Sequence, residues 1–370
     1  MSNEVEKKSY EKGNSVTKYL EENVSSRIYN KYKILNEKVG IDTLGKCNKE
    51  YLEYSLLDRN FPRPLLTVLG INYLVDNVED MIVDDEALLI SVISQKLRDS
   101  YAIIDDVIDG DEIKFNHDTL PVAFSKILER NELGNSLAIL YGLKCFNSLF
   151  MLKNGRYITE NNRKRIIELI TKVTNSTIES EMLAIHLQTV NIFNLKTECI
   201  LEMYRNNAAE YCFVFPYVLG LLSKNANKET IDETGELLKG IGVLSQIMDD
   251  ILGLFPLHVE DDKNTISDLL SLKRTYVLVD FYDYIKKTEI KKMLEKNNCT
   301  IDEAKSIRFE MLKSGYLSYL AQEIKTKAIK LQDKVKMLSI GNVSKKYLIE
   351  LLENRIINNC ESVINIYVEK

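Results

Sequence analysis

Two long stretches without proline restrict this chain to a helical fold. The chain has 370 residues but only five prolines, and none lies within 122–215 or 257–370. Because proline interrupts helices, such stretches favour long helices over a sandwich of many short strands. Apolar residues recur every three or four positions in segments such as 136–152 and 243–254, which is the spacing of one helix face. The sequence therefore predicts an all-α fold with roughly ten or more helices around a central cavity.

The composition excludes several functional classes. Apolar residues make up 45% of the chain and charged residues 28%, which is typical of a folded globular protein. The net charge of −6 argues against nucleic acid as a partner, because phosphate binding needs a basic face. Six scattered cysteines form no C-x-x-C pair, so they indicate buried thiols in a reducing compartment rather than a structural zinc site.

The start of the chain and its longest apolar run bear on domains and location. Residues 1–15 are polar and of mixed charge, so we expect them to be disordered and find no signal sequence in them. No repeat or linker divides the rest of the chain, which predicts one all-α domain over 16–370. The longest apolar run, 213–222, is shorter than the roughly 20 residues that span a bilayer. We therefore expect a cytoplasmic protein without a transmembrane segment.

Two pairs of adjacent aspartates lie inside apolar helical runs. Asp105 and Asp106 are followed by Asp109, and Asp249 and Asp250 form the second pair. Carboxylates on the apolar side of a helix are costly unless they are paired or bind cations. Asp105 and Asp109 are one turn apart on one face, with Asp106 about 100° around the helix. Because Mg²⁺ takes oxygen ligands and bridges to phosphates, all five aspartates are predicted metal ligands.

Polar and basic residues flank the second pair. Gln246 precedes Asp249 by one turn, and Lys263 and Lys273 follow the helix that carries the pair. Isolated lysines usually lie on solvated surface, but these two lie just beyond a predicted metal site. We therefore expect them to hold a phosphate group that the metals also bind.

The order of these motifs resembles that of the trans-isoprenyl diphosphate synthases, the polyprenyl synthetase family, from about Leu57 to about Lys336. The first acidic motif of the family corresponds to Asp105, Asp106 and Asp109, and the second corresponds to Gln246, Asp249 and Asp250. The lysines that follow the second motif correspond to Lys263 and Lys273, and the Gly-Lys-x-x-Arg-Pro signature corresponds to residues 59–64. Together these motifs are specific for the fold.

The resemblance implies the fold of the isoprenoid synthases, an all-α bundle around a central apolar cavity. It also implies three Mg²⁺ ions and an allylic prenyl diphosphate as substrate. The catalytic residues would be Asp105, Asp106 and Asp249, which hold the metals while the diphosphate leaves. A polyanionic leaving group needs concentrated positive charge and the allyl cation needs a dry cavity, so the physical chemistry agrees. We also expect a homodimer.

The departures from the family pattern concentrate where the family binds a second diphosphate, that of isopentenyl diphosphate. The lysine of that pocket is Asn60 here, and its arginine is retained as Arg63. The paired arginines after the first acidic motif align with Lys114 and Phe115, and the histidine two turns before that motif aligns with Arg98, which partly compensates. Two lost cations, at about 1.5–3 kcal/mol each, would weaken binding by roughly two to four decades. The predicted diphosphate ligands are Arg63, Arg98, Lys114, Gln246, Lys263 and Lys273.

Several functions are compatible with this pattern. The favoured prediction is a terpene synthase that ionises a linear allylic diphosphate and cyclises the cation, because isopentenyl diphosphate is poorly held. The alternative is chain elongation with isopentenyl diphosphate in a pocket rearranged around Arg63 and Arg98. A third is prenyl transfer to another acceptor, such as a peptide. The non-enzymatic alternative is the regulatory subunit of a heteromeric synthase, against which the buried aspartates count.

Ser100, Tyr101 and Phe115 are the predicted cavity residues. Tyr101 precedes Asp105 by one helical turn, so it is expected directly below the bound diphosphate, where it would limit the length of the hydrocarbon tail. Ser100 beside it would leave some room. The alternative is that Tyr101 packs against a neighbouring helix.

Overall fold

The structure of the protein is a computed structural model. It describes residues 15–37, 44–58, 60–150, 155, 157–257 and 267–368. Of the segment 1–15 that is predicted to be disordered, Ser15 is described and is the N-cap of the first helix; residues 1–14, and Lys263 with its predicted diphosphate binding, lie outside the described residues.

The described residues are mainly helical, as the proline-free stretches predict. The helices are α1 (Val16–Leu20), α2 (Ser26–Glu37), α3 (Gly45–Ser55), α4 (Pro62–Ile71), α5 (Asp85–Asp109), α6 (Leu120–Leu128), α7 (Asn131–Ser148), α8 (Glu160–Leu187), α9 (Thr197–Asn206), α10 (Phe215–Ser223), α11 (Lys228–Leu254), α12 (Ser267–Leu270), α13 (Tyr276–Tyr284), α14 (Thr288–Leu294), α15 (Ile301–Lys313), α16 (Tyr316–Met337), α17 (Asn342–Leu352) and α18 (Asn358–Tyr367). The prediction of an all-α fold is confirmed.

Short irregular elements connect or interrupt these helices. The described residues include π-helical turns at Glu21–Ser25, Glu210–Val214 and Glu353–Ile357, and 3₁₀ turns at Val78–Asp80 and Ile192–Asn194. In the described part of the chain, β structure is limited to one antiparallel pair, β1 (Ile113–Lys114) and β2 (His117–Asp118). This small hairpin follows α5 directly and so lies beside the first acidic motif.

Local sequence signals set the ends of the two helices that carry the acidic pairs. α5 begins after Asp84, whose side chain accepts a hydrogen bond from the backbone N–H of Ala87 at 2.9 Å, as a helix N-cap does. It is terminated by Gly110, whose φ of +70° is the left-handed conformation common at helix ends. α11 begins after a similar cap, Asn227, and ends shortly before Pro256, which disfavours helix continuation. The acidic pairs therefore lie in the C-terminal turns of two long helices.

Two glycines allow α4 and α10 to cross in direct backbone contact. A Cβ at Gly70 would lie 2.2 Å from the carbonyl oxygen of Tyr217, and one at Gly220 would lie 2.4 Å from that of Thr67. Neither position accepts a side chain unless a helix moves. This crossing fixes α4 in the core, and with it Arg63 in the first turn of that helix.

The main buried cluster lies between α4, α5, α8, α10, α11, α13 and α16. A smaller cluster fills the space between α3, α5, α6 and α7. At the C-terminal end, α16 and α18 pack on α11 and α17 packs on α16. Glu350 of α17 also accepts hydrogen bonds from the backbone N–H groups of Val16 and Thr17, at 2.9 and 2.8 Å. No helix among the described residues is long and apolar enough to cross a membrane.

Candidate active site

The first acidic motif places two carboxylates on one face of α5. Burial raises the pKa of Asp105 to about 7, and the negative charges of Asp109 and Glu181 add to this effect. Lys114 and Lys273 oppose it, and Lys273 Nζ donates to Asp109 Oδ2 at 2.9 Å. The charges of three carboxylates and two lysines therefore interact with one another at the end of α5. Negative charge dense enough to raise a carboxyl pKa favours the binding of a cation.

Asp106 is buried, and both of its oxygens have hydrogen-bond partners. Tyr54 Oη donates to Asp106 Oδ2 at 2.8 Å, and Lys114 Nζ donates to Asp106 Oδ1. Lys114 lies in β1, beyond the turn at Gly110, so the carboxylate ties this lysine back to α5. Asp106 thus orients a predicted diphosphate ligand. Its own contact with a metal stays a prediction.

The two carboxylates of the second pair have different surroundings. Asp250 is buried and accepts hydrogen bonds from Tyr204 Oη at 2.6 Å and from Gln246 Nε2 at 3.2 Å. Gln246 therefore contacts its own acidic pair, and its binding to diphosphate stays a prediction. Asp249 is about half exposed, and its Oδ2 accepts a hydrogen bond from Arg355 Nη2 at 2.7 Å. In the second pair, therefore, one carboxylate is buried and the other forms an ion pair with a residue from the C-terminal helices.

Oxygen ligands suited to a hard cation are present, but they do not converge in this structure. Among the described side chains, no group of three His, Cys, Asp or Glu residues is close enough to hold a metal ion. Asp249 is instead paired with Arg355 and Asp109 with Lys273. The carboxylate donors and the raised pKa of Asp105, whose main cause is burial, nevertheless fit Mg²⁺.

A second positively charged region contains two arginines. Arg98 lies on α5, two turns before Asp105, and Arg63 lies in the first turn of α4. Arg98 is largely buried, and its Nη1 donates to Asp99 Oδ1 at 3.2 Å. Arg63 lies close enough for the two guanidinium charges to interact, and its Nη2 donates to Cys212 Sγ at 3.0 Å. The Nε of Arg63 is buried and has no hydrogen-bond partner. This Nε–H therefore remains available as a hydrogen-bond donor.

Phe115 and Asn60 stand where the family has cations, and Phe115 lies beside Arg98. Phe115 has a left-handed φ of +52° and is more than half exposed, and its ring centre lies 5.8 Å from the guanidinium carbon of Arg98. An aromatic ring over a guanidinium group stabilises the charge, so Phe115 covers a cation that lies at another position. Asn60 is exposed, and the nearby Asp58 lies 3.6 Å from Arg63. The region therefore keeps two arginines but also contains a carboxylate.

Tyr101 lies one turn before Asp105 and bridges α5 to α8. Its Oη donates to the carbonyl oxygen of Thr174 at 3.3 Å, and its ring centre lies 5.3 Å from that of Tyr211. The ring of Tyr211 in turn lies 5.9 Å from the guanidinium carbon of Arg63. The two tyrosine rings therefore lie between the acidic and the basic regions. That Tyr101 limits the length of a substrate stays a prediction.

The other two predicted cavity residues have different surroundings. Ser100 is buried where α5 meets α7, and its carbonyl oxygen would lie 3.2 Å from a Cβ at Gly142. Phe115 lies over Arg98 in the basic region. A role in the cavity stays a prediction for both residues.

Glu181, Tyr54 and Arg355 were not predicted from the sequence. Glu181 is a half-buried carboxylate on α8 whose pKa is raised by burial, and Asn207 Nδ2 donates a hydrogen bond to it. The rule that identified the aspartates, an acidic residue inside an apolar helical run, would have found Glu181 as well. Arg355 carries no such signal, because a lone arginine on a helix is usually solvated.

The fold and the paired acidic helices define a class of protein, the isoprenoid synthases with an all-α fold. The chain belongs to the polyprenyl synthetase family, whose family model matches residues 51–311, well over half of its length. The resemblance predicted from the motifs is thereby confirmed. The prediction of an enzyme is confirmed with it, because this is a family of enzymes.

Similar proteins agree with this assignment. The short chain isoprenyl diphosphate synthase of Methanocaldococcus jannaschii is 24% identical over 258 residues, which cover 68% of this chain and 71% of that protein. A geranylgeranyl pyrophosphate synthase from Corynebacterium glutamicum, solved with isoprenyl diphosphate and magnesium, has a TM-score of 0.76 at 16% identity and covers 92% of this chain and 98% of its own. A decaprenyl diphosphate synthase from Rhodobacter capsulatus has a TM-score of 0.74 at 15% identity, with 93% and 98% covered. These structures confirm the isoprenoid synthase fold.

Proposed function

We propose that this chain is a Mg²⁺-dependent trans-prenyl diphosphate synthase that joins an allylic prenyl diphosphate to isopentenyl diphosphate. One observation carries the proposal: Arg63 and Arg98 lie together, and the buried Nε of Arg63 has no partner. A second diphosphate would satisfy this donor and balance the two charges. A cyclase, which binds a single diphosphate, has no use for a second cationic region. The relatives compared above also bear the names of prenyl diphosphate synthases.

Chain elongation is thus better supported than the terpene synthase that the sequence favours. The cyclase prediction treats the cations that the family has at positions 60 and 115 as lost, because it compares the two sequences one position at a time. In the structure the ring of Phe115 lies over the guanidinium group of Arg98. The charge that is absent from position 115 is therefore present next to it, on α5. The estimated loss of two to four decades in binding was counted for positions 60 and 115; the structure adds that the two retained arginines, Arg63 and Arg98, lie close enough to act on one anion.

The acidic region would bind the allylic substrate. Mg²⁺, as the three ions that the family resemblance implies, would supply positive charge to the departing diphosphate. Asp105, Asp109 and Asp249 would hold the metal through their carboxylates, and Lys114 and Lys273 would contact the same diphosphate. The bond between C1 and the diphosphate then breaks, and C1 bonds to C4 of isopentenyl diphosphate. A proton leaves C2 of that substrate, which restores a double bond.

The basic region would bind and orient isopentenyl diphosphate. Arg63 and Arg98 would pair with its diphosphate, and Asp99 holds Arg98 in place through the hydrogen bond at 3.2 Å. The rings of Tyr101 and Tyr211 lie between the two regions. Apolar ring surface there would exclude water, which otherwise captures an allyl cation.

An incorporation assay tests the proposed function. The purified protein is incubated with Mg²⁺, radiolabelled isopentenyl diphosphate and C10, C15 or C20 allylic diphosphates, and we expect longer labelled prenyl diphosphates. Asp105→Asn should lower turnover by orders of magnitude, because it removes a carboxylate of the proposed metal site whose pKa burial raises to about 7. Release of diphosphate from the allylic substrate without incorporation of label would reject elongation.

A terpene synthase is the second candidate, and one contact favours it. Asp58 lies 3.6 Å from Arg63, so a carboxylate already competes for one of the two arginines that a second diphosphate would need. Extraction of the same incubations with an organic solvent distinguishes the candidates. Cyclic hydrocarbon products formed without isopentenyl diphosphate would support the cyclase, and none are expected from an elongating synthase.

We propose further that the protein forms a homodimer and is cytoplasmic. Leu140 and Leu143 on α7, and Met182 and Ile185 on α8, are each about half exposed or more. Large apolar side chains in such numbers are typical of surfaces that another chain covers. All six cysteines are free thiols, as is usual in a reducing compartment. Analytical ultracentrifugation should show a dimer, and Leu140→Glu with Leu143→Glu should give a monomer.

A further inference from the structure

An arginine from the C-terminal helices reaches the second acidic pair. Arg355 Nη2 lies 2.7 Å from Asp249 Oδ2, and the two side chains are 42% and 49% exposed. Arg355 belongs to the π-helical turn Glu353–Ile357, and it lies beyond residues 51–311 that match the family model. π-helical turns inside α-helices occur frequently at functional sites. The contact therefore joins a predicted metal ligand to a part of the chain that the family motifs do not include.

The C-terminal segment holds Arg355 in a defined place. Ile356 and Cys360 are fully buried, and Cys360 Sγ lies 3.7 Å from Met248 Sδ of α11. Further along, Tyr367 Oη donates to the carbonyl oxygen of Pro256 at 2.7 Å. The backbone that carries Arg355 is thus packed against the helix that carries the acidic pair. Its side chain, in contrast, is partly solvated, so it can move while the backbone stays fixed.

The charges around Asp249 differ from those around the first acidic motif. Partial desolvation raises the pKa of Asp249, and the positive charges of Arg355 and Arg63 oppose this. Asp105, in contrast, is affected most strongly by burial and then by Asp109 and Glu181. In this structure the negative charge of Asp249 is balanced by arginine, while that of the first motif is in excess. A cation that binds both acidic helices therefore meets the positive charge of Arg355 at Asp249.

We propose that Arg355 is a latch that occupies Asp249 in the metal-free enzyme and competes with Mg²⁺ for this carboxylate. The latch rests on the proposed function, because it assigns Asp249 to the metal site. Arg355 occupies one oxygen of Asp249 and its positive charge repels a second cation, so metal binding at this carboxylate includes the cost of weakening or breaking the ion pair. A diphosphate lowers that cost, since it offers the released guanidinium group a new anion. Metal and diphosphate thus bind better together than either does alone.

Binding of Mn²⁺, followed by electron paramagnetic resonance, tests the latch without any turnover. Arg355→Gln removes the competing cation, so Mn²⁺ alone should bind about two- to fivefold more tightly than to the wild type. Arg355→Lys keeps a cation and should stay close to the wild type. The matched control is Lys325→Gln, which breaks an ion pair with Glu361 at 2.6 Å in the same C-terminal layer. This control should leave Mn²⁺ binding unchanged.

A double-mutant cycle shows whether the effect acts through Asp249. Asp249→Asn should weaken Mn²⁺ binding, and in that background Arg355→Gln should have no further effect. With inorganic pyrophosphate present, the gain from Arg355→Gln should disappear or reverse, because the released guanidinium group is then missing. Thermal melting establishes that each variant is folded.

Several results would overturn the latch. One is unchanged or weaker Mn²⁺ binding by folded Arg355→Gln protein, and another is a gain that persists in the Asp249→Asn background. Failure of the latch is distinguishable from failure of the proposed function. Wild-type protein that couples Arg355 to Mn²⁺ binding but incorporates no isopentenyl diphosphate would reject elongation alone. Protein that incorporates it without this coupling would reject the latch alone.

Discussion

Replacing Arg98 by glutamine removes the most buried cation of the second diphosphate region. Arg98 is 7% exposed, so its charge is poorly screened by water. A hydrogen bond to a charged group contributes about 1.5–3 kcal/mol, which corresponds to roughly a ten- to 150-fold change in binding. We expect the KM for isopentenyl diphosphate to rise within that range. The KM for the allylic substrate should change little, because Lys114 and Lys273 contact the first acidic motif instead.

The same substitution also affects stability, because Arg98 neutralises Asp99. Asp99 is fully buried; burial raises its pKa and Arg98 lowers it. Removing one partner of a buried ion pair lowers the free energy of unfolding by about 3–5 kcal/mol. The loss should be smaller here, because Tyr32 and Gln95 also donate hydrogen bonds to the Asp99 carboxylate. Without Arg98 the pKa of Asp99 rises further. The loss of stability is therefore small at acid pH and grows as the pH rises through that pKa.

Steady-state kinetics and thermal melting separate the two effects. Isopentenyl diphosphate is varied at saturating allylic diphosphate, and melting is measured at acid and neutral pH. The double variant Arg98→Gln with Asp99→Asn should recover stability but not the KM, because it removes the uncompensated charge without restoring the cation. Arg130→Gln, at an exposed position, is the control for a general loss of charge. Folded Arg98→Gln protein with an unchanged KM for isopentenyl diphosphate would refute the assignment of this region.

Three further changes test the cavity and the fold. Tyr101→Ala should shift kcat/KM from C15 toward C20 allylic diphosphate, at a cost of about 3 kcal/mol or somewhat more in the free energy of unfolding; an unchanged ratio would mean that Tyr101 does not limit the substrate. Gly220→Ala places a Cβ 2.4 Å from the backbone of α4, so the melting temperature should fall by several degrees. The control is Gly45→Ala, which should not lower the melting temperature because a Cβ there meets nothing within 4 Å. Burial acts to raise the pKa of Glu350, but hydrogen bonds from the start of α1 lower it overall. The contribution of Glu350 to stability is therefore complete above the pKa of about 4.3 in the unfolded chain, and it is lost as the pH falls through the lower pKa in the folded protein. In melting experiments at a series of pH values, Glu350→Gln should weaken this loss of stability in acid.

The amino-acid sequence by itself determined the helical fold and the acidic motifs. Helix formation depends on the scarcity of proline and on a local apolar period, and both are properties of short segments. Residues four apart share a face of any helix, so Asp105 and Asp109 could be placed together before the structure was known. The family was recognisable for the same reason, since its motifs are short and their order is linear. Glu181 was within reach of the same rule but was not predicted.

Only the tertiary structure decided how the charges of the site pair. Phe115 lies in the turn between β1 and β2 and Arg98 lies in α5, and only the way this hairpin folds back after α5 places the ring over the guanidinium group. The sequence analysis identified Arg63 and Arg98 but favoured a cyclase, because only the fold shows that the two guanidinium groups lie close together. Asp249 and Arg355 are 106 residues apart, and no local pattern relates them. Such contacts arise from the packing of whole helices, because a side chain's partner depends on which distant face lies opposite it and not on its own neighbours in sequence.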